Sequence, residues 1–366
     1  MKRKAYTPEE RVEKVLRGGR ADVVPFTVYK GMIPQGEAER RLRNRGLCIV
    51  ERPGVFRTHR PNVKVTSETF REGQDEFTRT FFKTPAGVLT TLKKAAGFTS
   101  WVREKMFKTP DDYKAILSLI EDERYEPTYD HFARVKAEWG GDAILRAGIG
   151  IEPMQQLIST DVMAMEDWCR EWMDNRDEVL KLYEAVVRNR RRIYPIVAAG
   201  PASHANYGGN VVPQIIGREV FEKYYVPHYN EAAEVLHGRG KLIGSHFDAD
   251  CRLLADLVAA ADLDYVEAFT PAPDTDMTLA EARAAWPEKV LWLNFPSSIH
   301  LKPDAEVERA AASLVSEIDS VDGVIMGITE DMPADRRLDS CRSIMDGLER
   351  HARQNPSLYE RPGPLS

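Results

Sequence analysis

The sequence lacks the features that mark membrane, secreted and nucleotide-binding proteins. Its 366 residues contain no apolar run near the roughly eighteen residues of a transmembrane helix. The charged N-terminus lacks the apolar core of a secretory signal, and the four cysteines form no CxxC pair. No GxGxxG or GxxxxGK[ST] pattern marks a phosphate-binding loop. These absences predict a soluble, cytoplasmic protein without a disulfide framework.

The charge balance gives no reason to expect a nucleic-acid partner. Acidic side chains number 57 against 51 basic ones, so the formal net charge is -6. Hydrophobic residues make up 43% of the chain, enough to bury a sizeable core. We therefore expect a globular protein that binds neither nucleic acid nor a membrane.

Short apolar segments alternate with helical ones along the chain. The pattern is clearest between residues 241 and 267, where strand, helix and strand follow one another. This unit predicts that His246 and Glu267 lie side by side at the ends of adjacent strands. Apolar strands are predicted near residues 24, 48, 145, 197, 243, 266, 292 and 325. This alternation predicts an α/β fold, a (β/α)8 TIM barrel, with an N-terminal helical extension and a hairpin excursion between strands 2 and 3. A doubly wound open sheet is the alternative.

The barrel is expected to form one domain over residues 1–354, with an irregular tail at 355–366. In parallel βα units, functional side chains lie at the carboxyl ends of the strands. The polar side chains at those positions are Tyr29, Glu152, His204, Asn206, Tyr207, His246, Asp248, Glu267, Asn294, Glu330 and Asp331.

Three of these strand-end residues have the chemistry of a catalytic zinc site. An imidazole and two carboxylates, from His246, Glu267 and Glu330, form a competent ligand set with an open position for water or substrate. Solvated rim residues or a metal-free proton relay are the alternatives. Asp248 and Cys251 are further candidate ligands, although a buried core role is more typical of such a cysteine.

The remaining strand-end residues are predicted to bind or orient a substrate: Tyr29, Glu152, His204, Asn206, Tyr207, Asn294 and Asp331. Glu330 and Asp331 are adjacent, and side chains alternate along an extended segment, so only one should point into the barrel mouth. We expect that one to be Glu330. Asp331 is instead expected to cap the closing helix, predicted at residues 334–351.

Three stretches resemble the uroporphyrinogen decarboxylase superfamily, whose fold is a (β/α)8 barrel. They read RVEKVLRGGRADVVPF, GREVFEKYYVPHYNEAAEVLHGRGKLIGSHFDADCRLL and GVIMGITEDMPADRR. The superfamily includes the decarboxylases of haem synthesis and the cobamide-dependent methyltransferases. The decarboxylase branch has an RQAGR segment and a Gly-His-Gly, where this chain has YKGMIPQGEAERR and Gly327-Ile328-Thr329. No arginine stands among the strand-end residues to hold a substrate rich in carboxylates, so decarboxylation of uroporphyrinogen is not expected.

The methyltransferase branch is the more similar one. Its members bind zinc through His-x-Cys after strand 5 and a Cys after strand 8, and here those places hold His246, Asp248 and, in the third region, Glu330. The resemblance implies a Zn²⁺-dependent methyltransferase of the O-demethylase type, acting with a corrinoid (cobamide) that a partner protein carries. The donor would be a methoxylated small molecule, such as an aryl methyl ether.

Two other functions stay open at this point. One is a decarboxylase that acts on a smaller acid, and the other is a non-catalytic barrel that binds a tetrapyrrole. The sequence leaves open whether the protein is a homodimer, and it names neither the methyl donor nor the corrinoid partner.

Overall fold

The computed structural model describes residues 6–97, 99–209 and 211–360. The chain divides into two compact units. The first comprises the described residues up to Gly54, Tyr129–Gly148, and the described residues from Pro201 onward. The second comprises the described parts of Val55–Thr128 and Ile149–Gly200.

The strands of the described residues follow in chain order. They are β1 (Phe26–Tyr29), β2 (Leu47–Glu51), β3 (Phe56–His59), β4 (Lys64–Glu72), β5 (Asp75–Thr84), β6 (Gly87–Ala96), β7 (Thr99–Glu104), β8 (Arg124–Pro127), β9 (Ala143–Leu145), β10 (Ala147–Gly150), β11 (His204–Tyr207), β12 (Leu242–His246), β13 (Tyr265–Phe269), β14 (Val290–Leu293) and β15 (Val324–Ile328).

The α-helices of the same residues are α1 (Pro8–Leu16), α2 (Glu37–Arg45), α3 (Tyr113–Glu121), α4 (Tyr129–Trp139), α5 (Pro153–Ser159), α6 (Met165–Asp174), α7 (Arg176–Ala199), α8 (Pro213–Tyr224), α9 (Val226–His237), α10 (Ala255–Ala260), α11 (Leu279–Ala285), α12 (Asp304–Val315) and α13 (Arg337–Gln354). None of these helices is both long and apolar enough to cross a membrane.

Nine strands form a sheet that nearly closes into a barrel. Their order is β10-β11-β12-β13-β14-β15-β1-β2-β9. The pairings from β11 through β15 and on to β1, β2 and β9 are parallel. Residues 26–28 of β1 pair with residues 326–328 of β15. The first and the last of the described strands are therefore neighbours in the sheet. The prediction of a (β/α)8 TIM barrel is confirmed.

Helix α1, the N-terminal helix that the sequence predicts before the barrel, begins with a capping box. Thr7 is the N-cap of α1, and its side chain accepts a hydrogen bond from the backbone N–H of Glu10. The Glu10 carboxylate accepts in return from the N–H of Thr7, which completes a capping box. The closing helix α13 begins at Arg337, three residues later than predicted.

The strand predicted near residue 197 is wrong. Residues 195–199 form the last turns of helix α7, and the strand that follows is β11. The buried residues Ile193, Tyr194, Val197 and Ala198 recur at the spacing of one helix face. The predicted strand near residue 145 is also divided, because β9 ends at Leu145 and β10 begins at Ala147.

The excursion between strands 2 and 3 is larger than the predicted hairpin. In the second unit, β4, β5, β6 and β7 form an antiparallel four-stranded sheet. A separate antiparallel pair joins β3 and β8. A two-stranded hairpin exposes most of its hydrophobic face. A four-stranded sheet that packs against a helix can bury one of its faces. Leu89 and Thr91 of β6 are buried accordingly, on the side of the sheet where α3 packs.

Gly244 in β12 allows the close packing of the strand that leads to His246. A Cβ atom at this position would lie 2.1 Å from Cε2 of Tyr265. Tyr265 is fully buried, and its hydroxyl donates a 2.7 Å hydrogen bond to the Ala205 carbonyl, so the ring cannot move away freely. Only glycine fits this position without displacing Tyr265.

We expect Gly244→Ala to lower the free energy of unfolding by about 1–3 kcal/mol, the usual cost of overpacking a core. Gly148→Ala is the matched control, because a Cβ atom there would meet no atom within 4 Å. Urea unfolding of both variants measures the difference. Equal stability of the two variants would contradict the packing described here.

Candidate functional site

The candidate site is built on two neighbouring strands of the barrel. His246 is the last residue of β12, and it pairs in register with Glu267 of β13. The imidazole Nδ1 donates a 2.8 Å hydrogen bond to Glu267 Oε2. The sequence predicted that these residues would lie side by side on adjacent strands, and that prediction is confirmed.

Glu267 is a fully buried carboxylate with several partners. Arg146 Nη1 lies 2.9 Å from its Oε1, and the Tyr29 hydroxyl donates a short hydrogen bond to the same oxygen. Arg146 Nη2 also donates a 3.1 Å bond to the Tyr29 hydroxyl. Burial opposes ionisation of Glu267, but the charges of Arg146 and His246 outweigh it and lower the pKa of the carboxyl. Glu267 is therefore an ionised group inside the barrel.

The second nitrogen of His246 faces two further carboxylates. Nε2 lies 3.5 Å from Asp248 Oδ2 and 3.6 Å from Glu330 Oε1. Burial would lower the pKa of His246, yet the charge of Glu267 and the bonds to the three acids raise it well above its usual value. Burial likewise opposes ionisation of Asp248, but the hydrogen bond with His246 lowers the pKa of its carboxyl.

His246, Asp248 and Glu330 lie close enough together that the three side chains could hold one metal ion. One potential ligand atom from each lies within 4.8 Å of the others. An imidazole and two carboxylates match the donor set of a catalytic Zn²⁺ site. The structure thus brings together two of the predicted ligands, His246 and Glu330, and joins to them the alternative ligand Asp248.

Glu267 occupies a different place from the other predicted ligands. It contacts Nδ1 of His246 and lies outside the group formed around Nε2. Histidine ligands of metals commonly donate their other ring N–H to a carboxylate, which fixes the tautomer and the ring orientation. The contacts of Glu267 favour this supporting role.

A strained residue follows Glu267. Ala268 has a φ of 62°, the only positive φ of a non-glycine residue in the described ranges. The register between β13 and β14 shifts between Glu267 and Phe269, as in a β-bulge. Such bulges redirect side chains near functional sites, and a left-handed alanine costs of order 1–3 kcal/mol. The surrounding packing therefore has to hold this backbone in place.

Three of the predicted substrate-binding residues lie in β11 and are buried. Burial, with Arg146 nearby, lowers the pKa of His204 to about 3, so its imidazole is neutral. Asn206 Nδ2 donates to the Tyr207 carbonyl at 2.7 Å and lies 3.5 Å from Glu267 Oε2. Tyr207 has no exposed surface and packs edge-on against Tyr229. Of these three residues, Asn206 is thus the one whose side chain lies next to Glu267.

The other predicted residues occupy varied positions. Glu152 is buried in the second unit, just before α5. Asn294 is buried and accepts a 3.0 Å hydrogen bond from the backbone N–H of Thr329. Cys251 is buried, and burial raises the pKa of its thiol, as expected for a core cysteine.

The predicted capping role of Asp331 is wrong. Its side chain is exposed, and α13 begins at Arg337 with Arg336 in the N-cap position and no side-chain cap. The polypeptide makes a turn over residues 334–336 before the helix starts. Asp331 is therefore too far from the first turn to accept its N–H groups.

Sequence reasoning missed two arginines at the strand ends, so the expectation of none there is wrong. Arg146 separates β9 from β10 and is buried beside Glu267. Arg52 directly follows β2, and its guanidinium carbon lies 4.2 Å from the centre of the Tyr29 ring. The signal that could have identified Arg146 is its place as a charged residue inside the apolar run AILRAGIG, because a buried charge requires a partner of opposite charge.

Comparison with known proteins supports the fold. No protein-family profile matches the sequence. No curated protein matches it either. A methyltransferase from Methanosarcina mazei has a similar structure, with a TM-score of 0.58 at 9% identity over 94% of this chain and 99% of that chain. At this identity, the similarity shows a shared fold.

Two further structures are more distant. The pneumococcal exo-β-D-N-acetylglucosaminidase StrH has a TM-score of 0.40 at 8% identity, covering 93% of this chain and 87% of that one. A zinc-bound IOLI protein has a TM-score of 0.33 at 12% identity, covering 64% and 88%. Neither similarity is close enough to inform the site.

We expect Glu267→Gln to lower the free energy of unfolding by about 3–5 kcal/mol, because it leaves the buried Arg146 without its carboxylate. The double variant Arg146→Met/Glu267→Gln should recover part of this loss, since it removes both charges. Urea unfolding at pH 7 completes the double-mutant cycle. Additive losses in the two single variants would show that the pair does not interact.

Proposed function

We propose that this protein is a zinc-dependent methyltransferase that moves a methyl group from a methoxylated donor, an aryl methyl ether, to a corrinoid protein. The group of His246, Asp248 and Glu330 at the ends of barrel strands carries this proposal. The resemblance described above puts metal ligands at the same three places. The shared fold with the Methanosarcina mazei methyltransferase supports the same class of reaction.

The residues present fit a zinc ion. Glu267 already occupies Nδ1 of His246, so Nε2 is the nitrogen left for a ligand role. Asp248 and Glu330 approach this nitrogen at 3.5 and 3.6 Å, distances at which one ion can bind all three. Oxygen ligands in place of thiolates make a harder site, which suits an oxygen donor better than a thiol. A bound Zn²⁺ would supply a Lewis acid that stabilises the oxyanion left when the methyl group departs.

The residues around the metal group have separate tasks in this proposal. Glu267 holds the His246 ring with Nε2 facing the two carboxylates. Arg146 keeps Glu267 ionised, and Tyr29 fixes the position of both. The ring of Tyr29 also contacts the guanidinium of Arg52. This cation beside the site can attract an anionic group of the donor.

The decarboxylase alternative is less well supported by the charges in the site. Asp248, Glu267 and Glu330 carry the same sign as the carboxylates of uroporphyrinogen, and Arg146 is already paired. Arg52 alone is a poor match for a substrate with many carboxylates. A non-catalytic tetrapyrrole carrier would have no use for three metal ligands at one point.

We expect the purified protein to bind about one zinc ion per chain, the stoichiometry of a mononuclear site. His246→Ala should abolish binding because it removes the imidazole, and Glu330→Gln should do so because it replaces a charged carboxylate with a neutral amide. Asp331→Asn is the matched control, since its exposed carboxylate lies outside the group and caps no helix. Elemental analysis after dialysis, with circular dichroism to check folding, measures these outcomes. Full zinc retention in Glu330→Gln would exclude this ligand set.

We expect the zinc-loaded protein to methylate a reduced corrinoid when given an aryl methyl ether, and to release the corresponding phenol. It should leave uroporphyrinogen unchanged, because the site carboxylates repel this substrate. The corrinoid absorption spectrum follows the first reaction, and porphyrin chromatography follows the second. Formation of coproporphyrinogen without methyl transfer would favour the decarboxylase alternative instead.

A further inference from the structure

We propose that Asn294 is a positioning residue that holds Glu267 and Glu330 in the arrangement that metal binding requires. This inference rests on the proposed zinc site. Asn294 directly follows β14 and is 1% exposed, so its hydrogen bonds are protected from water. Its side chain contacts the residues that directly follow both neighbouring strands, β13 and β15.

The amide nitrogen of Asn294 forms a hydrogen bond with the segment that directly follows β13. Nδ2 donates a 3.1 Å hydrogen bond to Thr270 Oγ1, and that hydroxyl donates in turn to the Ala268 carbonyl at 3.2 Å. The Asn294 backbone N–H also donates to the Phe269 carbonyl at 2.9 Å. These bonds surround the strained Ala268, which immediately follows Glu267. Asn294 therefore supports the β-bulge that directly follows Glu267 and holds the backbone on that side of the carboxylate.

The amide oxygen of Asn294 forms hydrogen bonds with the segment that directly follows β15. Oδ1 accepts hydrogen bonds from two successive backbone N–H groups, those of Thr329 at 3.0 Å and Glu330 at 3.3 Å. Both groups lie beyond the last residue of the strand, Ile328. The Glu330 side chain is 39% exposed, so side-chain packing does little to restrain it. The bond from its backbone to Asn294 therefore constrains where its carboxylate lies, together with the contact to His246.

Only an uncharged amide serves both strands at once. Oδ1 must accept from two N–H groups, while Nδ2 must donate to a hydroxyl whose own hydrogen is directed at Ala268. An aspartate would lose the donor and add a negative charge beside Glu330. An alanine would release both segments. Asn294 thus links the supporting carboxylate and a ligand carboxylate through one side chain.

The test measures zinc affinity in Asn294→Ala by competition with a chromogenic chelator. We expect the affinity to fall by about 10- to 100-fold, the usual effect of losing a group that orients metal ligands. Hydrogen exchange at the Thr329 and Glu330 amides should become faster, since their acceptor is gone. The absorption spectrum of the Co²⁺-substituted protein should also change, because it reports ligand geometry.

The matched control is Asn189→Ala. Asn189 is also a buried asparagine, and its Nδ2 donates to the Ile120 carbonyl at 2.8 Å and to Glu123, neither of which belongs to the proposed ligand group. This variant should lose stability but keep its zinc affinity and its Co²⁺ spectrum. If the affinity fell equally in both variants, Asn294 would be a structural residue only, and the proposal would be wrong.

A second variant tests the same proposal if Asn294→Ala does not fold. Thr270→Val removes the hydroxyl between Asn294 and Ala268 and keeps the side-chain shape. We expect a loss of zinc affinity of about tenfold, and an unchanged affinity would overturn the proposal. If the parent protein binds zinc and these variants bind it equally well, the positioning role fails and the proposed function stands. If the parent protein binds no zinc, both fail.

Discussion

The ionised carboxylate of Glu267 lies inside the barrel with no exposed surface. A charge in this position is stable only when counter-charges and hydrogen bonds replace the lost water. Arg146, Tyr29 and His246 provide them, and each comes from a different part of the sheet. The same contacts that make burial tolerable therefore fix how four strand ends meet, and the site geometry depends on this arrangement.

This arrangement gives the site two layers with different properties. The inner layer, around Glu267, is closed and charge-paired, so it is expected to be rigid. The outer layer consists of Asp248 and Glu330, whose side chains are 25% and 39% exposed. His246 belongs to both layers, with one ring nitrogen in each. A rigid inner layer can thus orient a more exposed outer one, and active sites on barrel rims are commonly organised in this way.

Much of the barrel could be predicted from the sequence, because each βα unit carries its own apolar period. The strands near residues 243, 266, 292 and 325 were identified in this way, and so was the adjacency of His246 and Glu267. The failure near residue 197 has a physical cause. A short apolar run fits a buried strand and the buried face of a helix equally well, and here it belongs to α7.

The site itself was less predictable, because its distances depend on features beyond local pattern. The bulge at Ala268 directly follows Glu267, and no hydrophobic pattern in the sequence predicts a left-handed alanine there. Asp248 lies beyond the end of β12, where side chains no longer alternate, so its approach to Nε2 could not be derived. The burial of Arg146 became understandable only with its partner from a strand far along the chain.

The pairing of β1 with β15 has a consequence for biosynthesis. A ribosome makes β1 long before β15, so the emerging chain carries β1 with one unpaired edge until β15 has been made. Unpaired strand edges are sites of aggregation, and partly folded nascent chains expose them. Expression yield should therefore depend on how well the cell protects this edge until the last barrel strand leaves the ribosome.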